Sequence, residues 1–174
     1  MNEVVDWTPS SEVVARLATR LRQGTLPDIT VLPSQRRDGD DFYSESDSLA
    51  LKVAQGASTH VDFLDGEGQR RFLAEYSADV AMQLALGWLT DLSGAGLLGL
   101  VRYVVQRIRA AKGNGTLAEG AVLEINVAKL IKSGQDLEIE GLQIKVRDAD
   151  VARAMVFALA SREAAENLLE ELTD

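Results

Sequence analysis

Residues 80–108 read VAMQLALGWLTDLSGAGLLGLVRYVVQRI, and this run constrains the fold more than any other part of the chain. It is apolar on nearly every side, carries Gly87, Gly94, Gly96 and Gly99, and ends in a basic turn. A helix without a polar face has to be buried in a core, against a partner or in a bilayer. A bilayer span needs roughly 20 mostly apolar residues. Asp91 interrupts the run and Arg102 stands in its second half. Burying either charge at the bilayer centre costs roughly 2.5–3.5 kcal/mol. The spacing therefore predicts two helices, over 78–92 and 97–111, hinged at 93–96 and buried in protein. Membrane insertion is the alternative, because small residues are also what membrane helices use at their contacts.

The rest of the chain predicts an α+β domain. Thr8-Pro9-Ser10-Ser11-Glu12 reads as a helix start. Val13, Val14, Leu17 and Leu21 follow at helical spacing up to Gly24. The run 29–32 reads as a strand between Pro27 and Pro33, and 48–53 as a strand or a short helix. Residues 34–47 are polar and turn-rich and are expected to form a mobile acidic loop. A hairpin is expected across 60–76 around Asp65-Gly66-Glu67-Gly68, and a second across 122–146, with Gly141 marking a bulge or bend. Helices are expected over 149–160 and 162–172, the first with Val151, Met155, Val156 and Leu159 on its apolar face. The expected architecture is one domain over 1–174. In it, an antiparallel sheet made of the two hairpins packs against the Gly-rich helical pair and the C-terminal helices.

Composition excludes several functions. There is no cysteine, so disulfides, zinc thiolates and thiol nucleophiles are out. The net charge of −9 works against binding a phosphate backbone, so no nucleic-acid partner is expected. The first residues hold no basic region followed by an apolar run, so a cytoplasmic location is expected.

The motifs that resemble known chemistry fall short of it. Gly94-Ala95-Gly96-Leu97-Leu98-Gly99 matches the dinucleotide fingerprint in spelling, but a helix is expected before it and two strands after it. A bend between helices accounts for it. Asp38-Gly39-Asp40-Asp41, with Glu45 and Asp47, lacks the order of a calcium loop and reads as a solvated acidic stretch. His60 is the only histidine, and no serine sits in a nucleophile-elbow setting. Glu138 and Glu140 share one side of a strand and read as its wet face. No cofactor, metal or catalytic residue is assigned.

What remains is apolar helix surface in excess. It predicts a non-enzymatic interaction or adaptor module, self-associating or binding a protein through Trp88, Leu92, Leu97, Leu98, Val101, Arg102, Arg107 and Arg109. The arginines, with Lys112, suit a helix C-terminus. They also suit an acidic surface, either anionic lipid or the acidic tail over 163–174. Two further readings stand beside this one. One is a membrane-active effector that inserts its Gly-rich helices. The other is a small-molecule enzyme using His60.

The residues over 94–109, 122–127, Gly134, 137–146 and 149–159 follow an order. A Gly-rich apolar helix ends in basic residues, two strands flank a Gly turn, and a short amphipathic helix follows. In this order the chain resembles the effector-associated constant components of bacterial conflict systems. The stretches 42–48 and 71–79 resemble uncharacterised bacterial proteins of similar build. The likeness spans roughly 42–160 and leaves out the N-terminal helix and strand. It implies an accessory or adaptor role in a defence system and carries over no catalytic residue.

Overall fold

The computed structural model describes residues 3–54, 60–74, 79–87, 95–113, 121–133 and 136–148. In chain order they form β1 (Glu3–Asp6), α1 (Ser11–Arg22), β2 (Ile29–Val31), β3 (Gln35–Arg37), β4 (Asp40–Ser44), α2 (Glu45–Ala54), β5 (Val61–Phe63), β6 (Phe72–Leu73), β7 (Val80–Leu86), α3 (Ala95–Gly113), β8 (Leu123–Ser133) and β9 (Asp136–Val146). The chain is α+β, as its pattern implies. The sheet, however, is mixed rather than antiparallel. Six strands run in the order β1-β9-β8-β7-β2-β5, and β3-β4-β6 form a smaller second sheet.

The largest departure from expectation falls on the run that constrained the sequence most. Residues 80–86 are not helical; they form β7 at the centre of the large sheet. β7 pairs in parallel with β8, from Val80↔Leu123 to Leu86↔Lys129, and α3 lies in the crossover between them. Parallel neighbours require such a crossover, because a tight turn cannot connect them. On its other side β7 pairs antiparallel with β2. The pleat sends Val80, Met82, Leu84 and Leu86 into the main core, with Leu123, Ile125 and Val127 of β8 and Leu100, Tyr103, Val104 and Ile108 of α3. Ala85 points the other way, into a smaller core with Val13 and Leu17 of α1 and with Leu32, Leu64 and Leu130. A strand covered on both faces reads as an almost unbroken apolar run, and that run looked like a helix. There is thus no Gly-rich helical pair. The glycine-flanked helix α3 packs with α2 on one side of the sheet, and α1 covers part of the other.

Two more expectations are corrected. The segments over 60–76 do not pair with each other. β5 joins β2 in parallel and β6 joins β4 in parallel, so each closes a separate long connection. Residues 34–47 are ordered structure rather than a loop. β3 and β4 form a hairpin in which Arg37 faces Asp40 across Asp38 (φ 52°) and Gly39 (φ 86°). Two successive left-handed residues, spelled Asp-Gly, make the turn whose twist matches a two-residue hairpin. The 122–146 hairpin is observed, with β8 and β9 paired from Leu123↔Val146 to Ser133↔Asp136. Gly141 makes no bulge there; it faces Ala128 in continuous register. The 149–160 and 162–172 helices lie outside the described residues.

α2 begins where the acidic loop was expected to end. Ser44 accepts a hydrogen bond on Oγ from the Ser46 N–H (3.3 Å), and Asp47 Oδ2 accepts from the Ser44 N–H (3.0 Å). This reciprocal capping box satisfies donors that the first turn would otherwise leave without partners. Ser44 and Asp47 are both buried, so water cannot substitute. Ser44→Ala is expected to cost about 1–2 kcal/mol, at the upper end for a lost N-cap. Equilibrium urea unfolding measures it, and a loss within error of zero would show that the cap is redundant.

Candidate functional site

Three arginines tie α1 to its surroundings, Arg16 and Arg36 to the small sheet and Arg20 to the end of β5 in the large one. Its N-cap is Ser10, two residues after the expected Thr8; Ser10 Oγ accepts from the Val13 N–H at 3.3 Å. One turn on, Arg16 donates to Asp41 Oδ2 of β4 (2.9 Å) and to Asp65 Oδ1. Arg20 donates to the Phe63 and Leu64 carbonyls at 2.7 and 3.1 Å. From the other side, Arg36 of β3 pairs with Glu12 of α1 and stands 4.0 Å from Asp41 Oδ1. The Arg36 hydrogen bond and charge hold the Glu12 carboxyl below its ordinary range. Asp65 also receives the Tyr43 hydroxyl at 2.8 Å. Burial, then the charge of Asp65, pushes the Tyr43 phenol well above its usual value, so it remains a neutral donor.

Between these ties an open cleft of about 190 Å³ is left. One wall is the connection from β1 to α1, with Trp7, Thr8, Ser10 and Val13; the other is the start of β3, from Pro33 to Arg36. Gln83 of β7 and Asp41 complete it. The lining mixes an indole and a proline ring with hydroxyls, amides and one cation–anion pair.

A second cluster is buried and joins elements. Asp47 of α2 accepts Arg107 Nε at 2.6 Å and the Tyr103 hydroxyl at 3.1 Å on the same oxygen, Oδ1. Tyr103 and Arg107 are one turn apart on α3, so both reach one point on α2. Arg107 Nη2 donates on to the Ala81 carbonyl of β7 at 3.3 Å. Arg107 is the largest fully buried side chain among the described residues. Burial pushes the Asp47 carboxyl up from its ordinary value of 3.8, against the pull of Arg107, the Ser44 N–H and Tyr103. The cluster fixes α2, α3 and β7 to one another.

The expected interaction residues do not gather on one surface. Arg102 and Arg109 are exposed on α3. Arg107, one of the expected docking cations, is wholly inside, where the Asp47 carboxylate takes its charge. Leu97, Leu98 and Val101 fall in α3, but their side chains are outside the described set; Trp88, Leu92 and Asp91 lie outside the described residues altogether. His60 is exposed just before β5, where its main-chain N–H donates to Asp28 Oδ2 at 2.9 Å. No hydrogen bond of its ring is seen among the described residues. Of the acids in the 38–47 stretch, Asp40 pairs with Arg71, Asp41 with Arg16 and Arg36, and Asp47 with Arg107. The described residues hold no cluster of three or more metal-ligating side chains. Sequence reasoning missed Asp47, although the Ser44-x-x-Asp47 spacing carried the signal of a capping box. It missed the cleft for want of any signal, since the two walls are far apart in the chain.

Comparison with protein-family models, with curated proteins and with solved structures gives no match.

Proposed function

We propose that this chain is a non-enzymatic protein-interaction module, an adaptor of a bacterial cytoplasmic system, and that it engages its partner on the side where α1 meets β3. The observation that carries this reading is the open cleft between 7–13 and 33–36, flanked by an edge strand and by the half-exposed Arg36. Asp47 and Tyr43, two buried groups perturbed by their surroundings, are engaged in packing contacts between elements. Perturbed groups in an enzyme gather where substrate is received. The likeness to accessory components of defence systems points the same way. No helix among the described residues is long and apolar enough to cross a membrane, so α3 gives the membrane-active reading no support.

A photo-crosslinking residue in place of Gln35, used in the cells that make the chain, tests the reading. A discrete adduct is expected from position 35, lost when Trp7→Ala is added and absent when the crosslinker replaces the exposed Leu49 of α2. Equal labelling from both positions, or none from position 35, would refute it.

A further inference from the structure

We propose that the cleft beneath Trp7 receives an ammonium group, carried on a lysine side chain of the partner, at the side-chain oxygen of Asn126. This rests on the interaction reading and names the chemistry of the contact.

Asn126 lies in the middle of β8 and is 1% exposed. Its Oδ1 is buried and has no hydrogen-bond partner among the described residues. An unmet buried acceptor costs the folded chain the desolvation of that group, and an apolar side chain of similar shape would avoid the cost. The orientation of the amide is fixed. Nδ2 donates to Glu124 Oε1 at 3.1 Å, and turning the amide over would set its oxygen against the carboxylate.

The register brings that oxygen to the cleft. Asn126 faces Gln83 of β7 on one side and Gln143 of β9 on the other. By alternation it shares the face of Leu130 and Ala85, which is the face that α1 covers. Gln83 lies on the same face and lines the cleft. The two arms of a carboxamide diverge. With Nδ2 turned to Glu124, Oδ1 turns toward the neighbouring row of Ala85, Ala128 and Gly141. Trp7 lies against Gly141, and Val13 belongs to the same small core as Ala85. Trp7, Val13 and Gln83 all line the cleft. Of these three, Gln83 is the one that can turn aside, because it is half-buried and its amide makes no hydrogen bond among the described residues.

An amide oxygen only accepts, so the occupant must donate. Glu124 makes a cation the better donor. It accepts from Asn126 Nδ2 and Gln143 Nε2, both at 3.1 Å, and no described cation is within ion-pair distance of it. Lys145 and Glu3 continue its row, which sets two carboxylates against one ammonium. The other side of the cleft has no cation to spare: Arg36 is paired with Glu12, and Arg16 with Asp41 and Asp65. A charged donor makes a stronger hydrogen bond than a neutral one. The apolar stem of a lysine also suits the indole wall. One acceptor at the floor of a cleft of about 190 Å³ fits a point charge better than the planar fork of an arginine.

The probe is n-butylammonium, titrated into the intact chain by NMR, with acetamide as the neutral donor and butyrate as the anion. Millimolar binding is expected, moving the side-chain amide signals of Asn126 and Gln83 and the Trp7 indole signal. Acetamide should bind about tenfold more weakly or worse, and butyrate should not bind. Asn126→Leu removes the acceptor and is expected to weaken butylammonium by about tenfold or more. Because a core replacement can fail to fold, the half-buried Glu124→Gln is the second variant. It should weaken butylammonium and leave acetamide unchanged. A short peptide with one central lysine should bind at least as tightly as the free amine. An unmoved Asn126 amide, equal binding of butylammonium and acetamide, or parent-like affinity in either folded variant would overturn the proposal. Binding of the amine with exclusion of the peptide would overturn the lysine assignment. The crosslink from position 35 does not depend on these outcomes, so the interaction reading stands or falls separately.

Discussion

Asp47→Ala is expected to destabilise the chain by about 3–5 kcal/mol, the range for breaking a buried ion pair from one side. The loss comes less from the vanished attraction than from what is left behind. Arg107 is fully buried, its Nε bonded to Asp47, and a guanidinium cannot shed its charge to suit an apolar site. Tyr103 loses an acceptor in the same stroke, and the first turn of α2 loses half of its capping box. Arg107→Ala should cost a similar amount, because it strands the Asp47 carboxylate and empties the space of a large side chain. Taking both charges out of water offsets much of their attraction, so the pair as a whole is not a large net gain. The double replacement Asp47→Leu with Arg107→Met is therefore expected to recover most of either single loss, leaving chiefly the cost of the cap. Urea unfolding of the parent, Asp47→Leu, Arg107→Met and the double variant closes the cycle. Losses that simply add in the double variant would show that the two side chains do not act on each other.

The same pair gives a pH dependence of known sign. A carboxyl whose folded value lies above its unfolded 3.8 binds its proton more tightly in the folded chain. Its contribution is then fully present below 3.8 and is lost as pH rises through the folded value. Asp47→Asn cannot titrate. The stability difference between parent and Asp47→Asn should thus shift against the parent as pH rises over that window.

Local signals in the sequence were read well and pairings were not. The strand β2, the helices α1 and α3, and the β8–β9 hairpin follow from apolar spacing and turn residues close in the chain. The β3–β4 hairpin is legible in its turn, since Asp38-Gly39 is the favoured two-residue spelling, but its strands are short and charged and carry little strand signal of their own. β7 was misread for a different reason. Val80-Ala81-Met82-Gln83-Leu84-Ala85-Leu86 is built of residues that favour helices, and only burial between two layers makes a strand of it. Tertiary context decided there, and no window of the sequence contains that context. The partners of β5 and β6 were wrong for a related reason: both pair in parallel with strands that precede α2, and parallel pairing leaves no turn signature. Of the candidate site, Arg107 was noticed as a cation near a helix end and assigned to the surface. Its acceptor lies 60 positions away, beyond the reach of any spacing rule.

Gly141→Ala is the second large effect, and it acts through backbone rather than charge. The chain leaves β1 across the middle of β9, and the Trp7 N–H donates to the Gly141 carbonyl at 2.9 Å. A Cβ at position 141 would overlap the Trp7 carbonyl oxygen and press on the Trp7 carbonyl carbon and ring, both at 3.2 Å. The atoms in the way are mostly main chain, so no rotamer change relieves the clash. Either β1 lifts from β9 or β9 bends away from Ala128. Overpacking of this kind costs about 1–3 kcal/mol, occasionally more, and the lost Trp7 hydrogen bond adds about 1 kcal/mol. Because Trp7 is also a wall of the cleft, the damage should reach the site. Gly141→Ala is expected to unfold at lower urea concentration and, where still folded, to shift the Trp7 indole signal and lose the crosslink from position 35. Gly68→Ala is the matched control, since a Cβ there meets nothing within 4 Å. If the two alanines prove equally mild, β1 does not sit on Gly141 in solution and the cleft has no fixed wall. If only Gly141→Ala weakens both stability and crosslinking, the same close approach of two strands that closes the edge of the sheet also holds Trp7 where a partner can meet it.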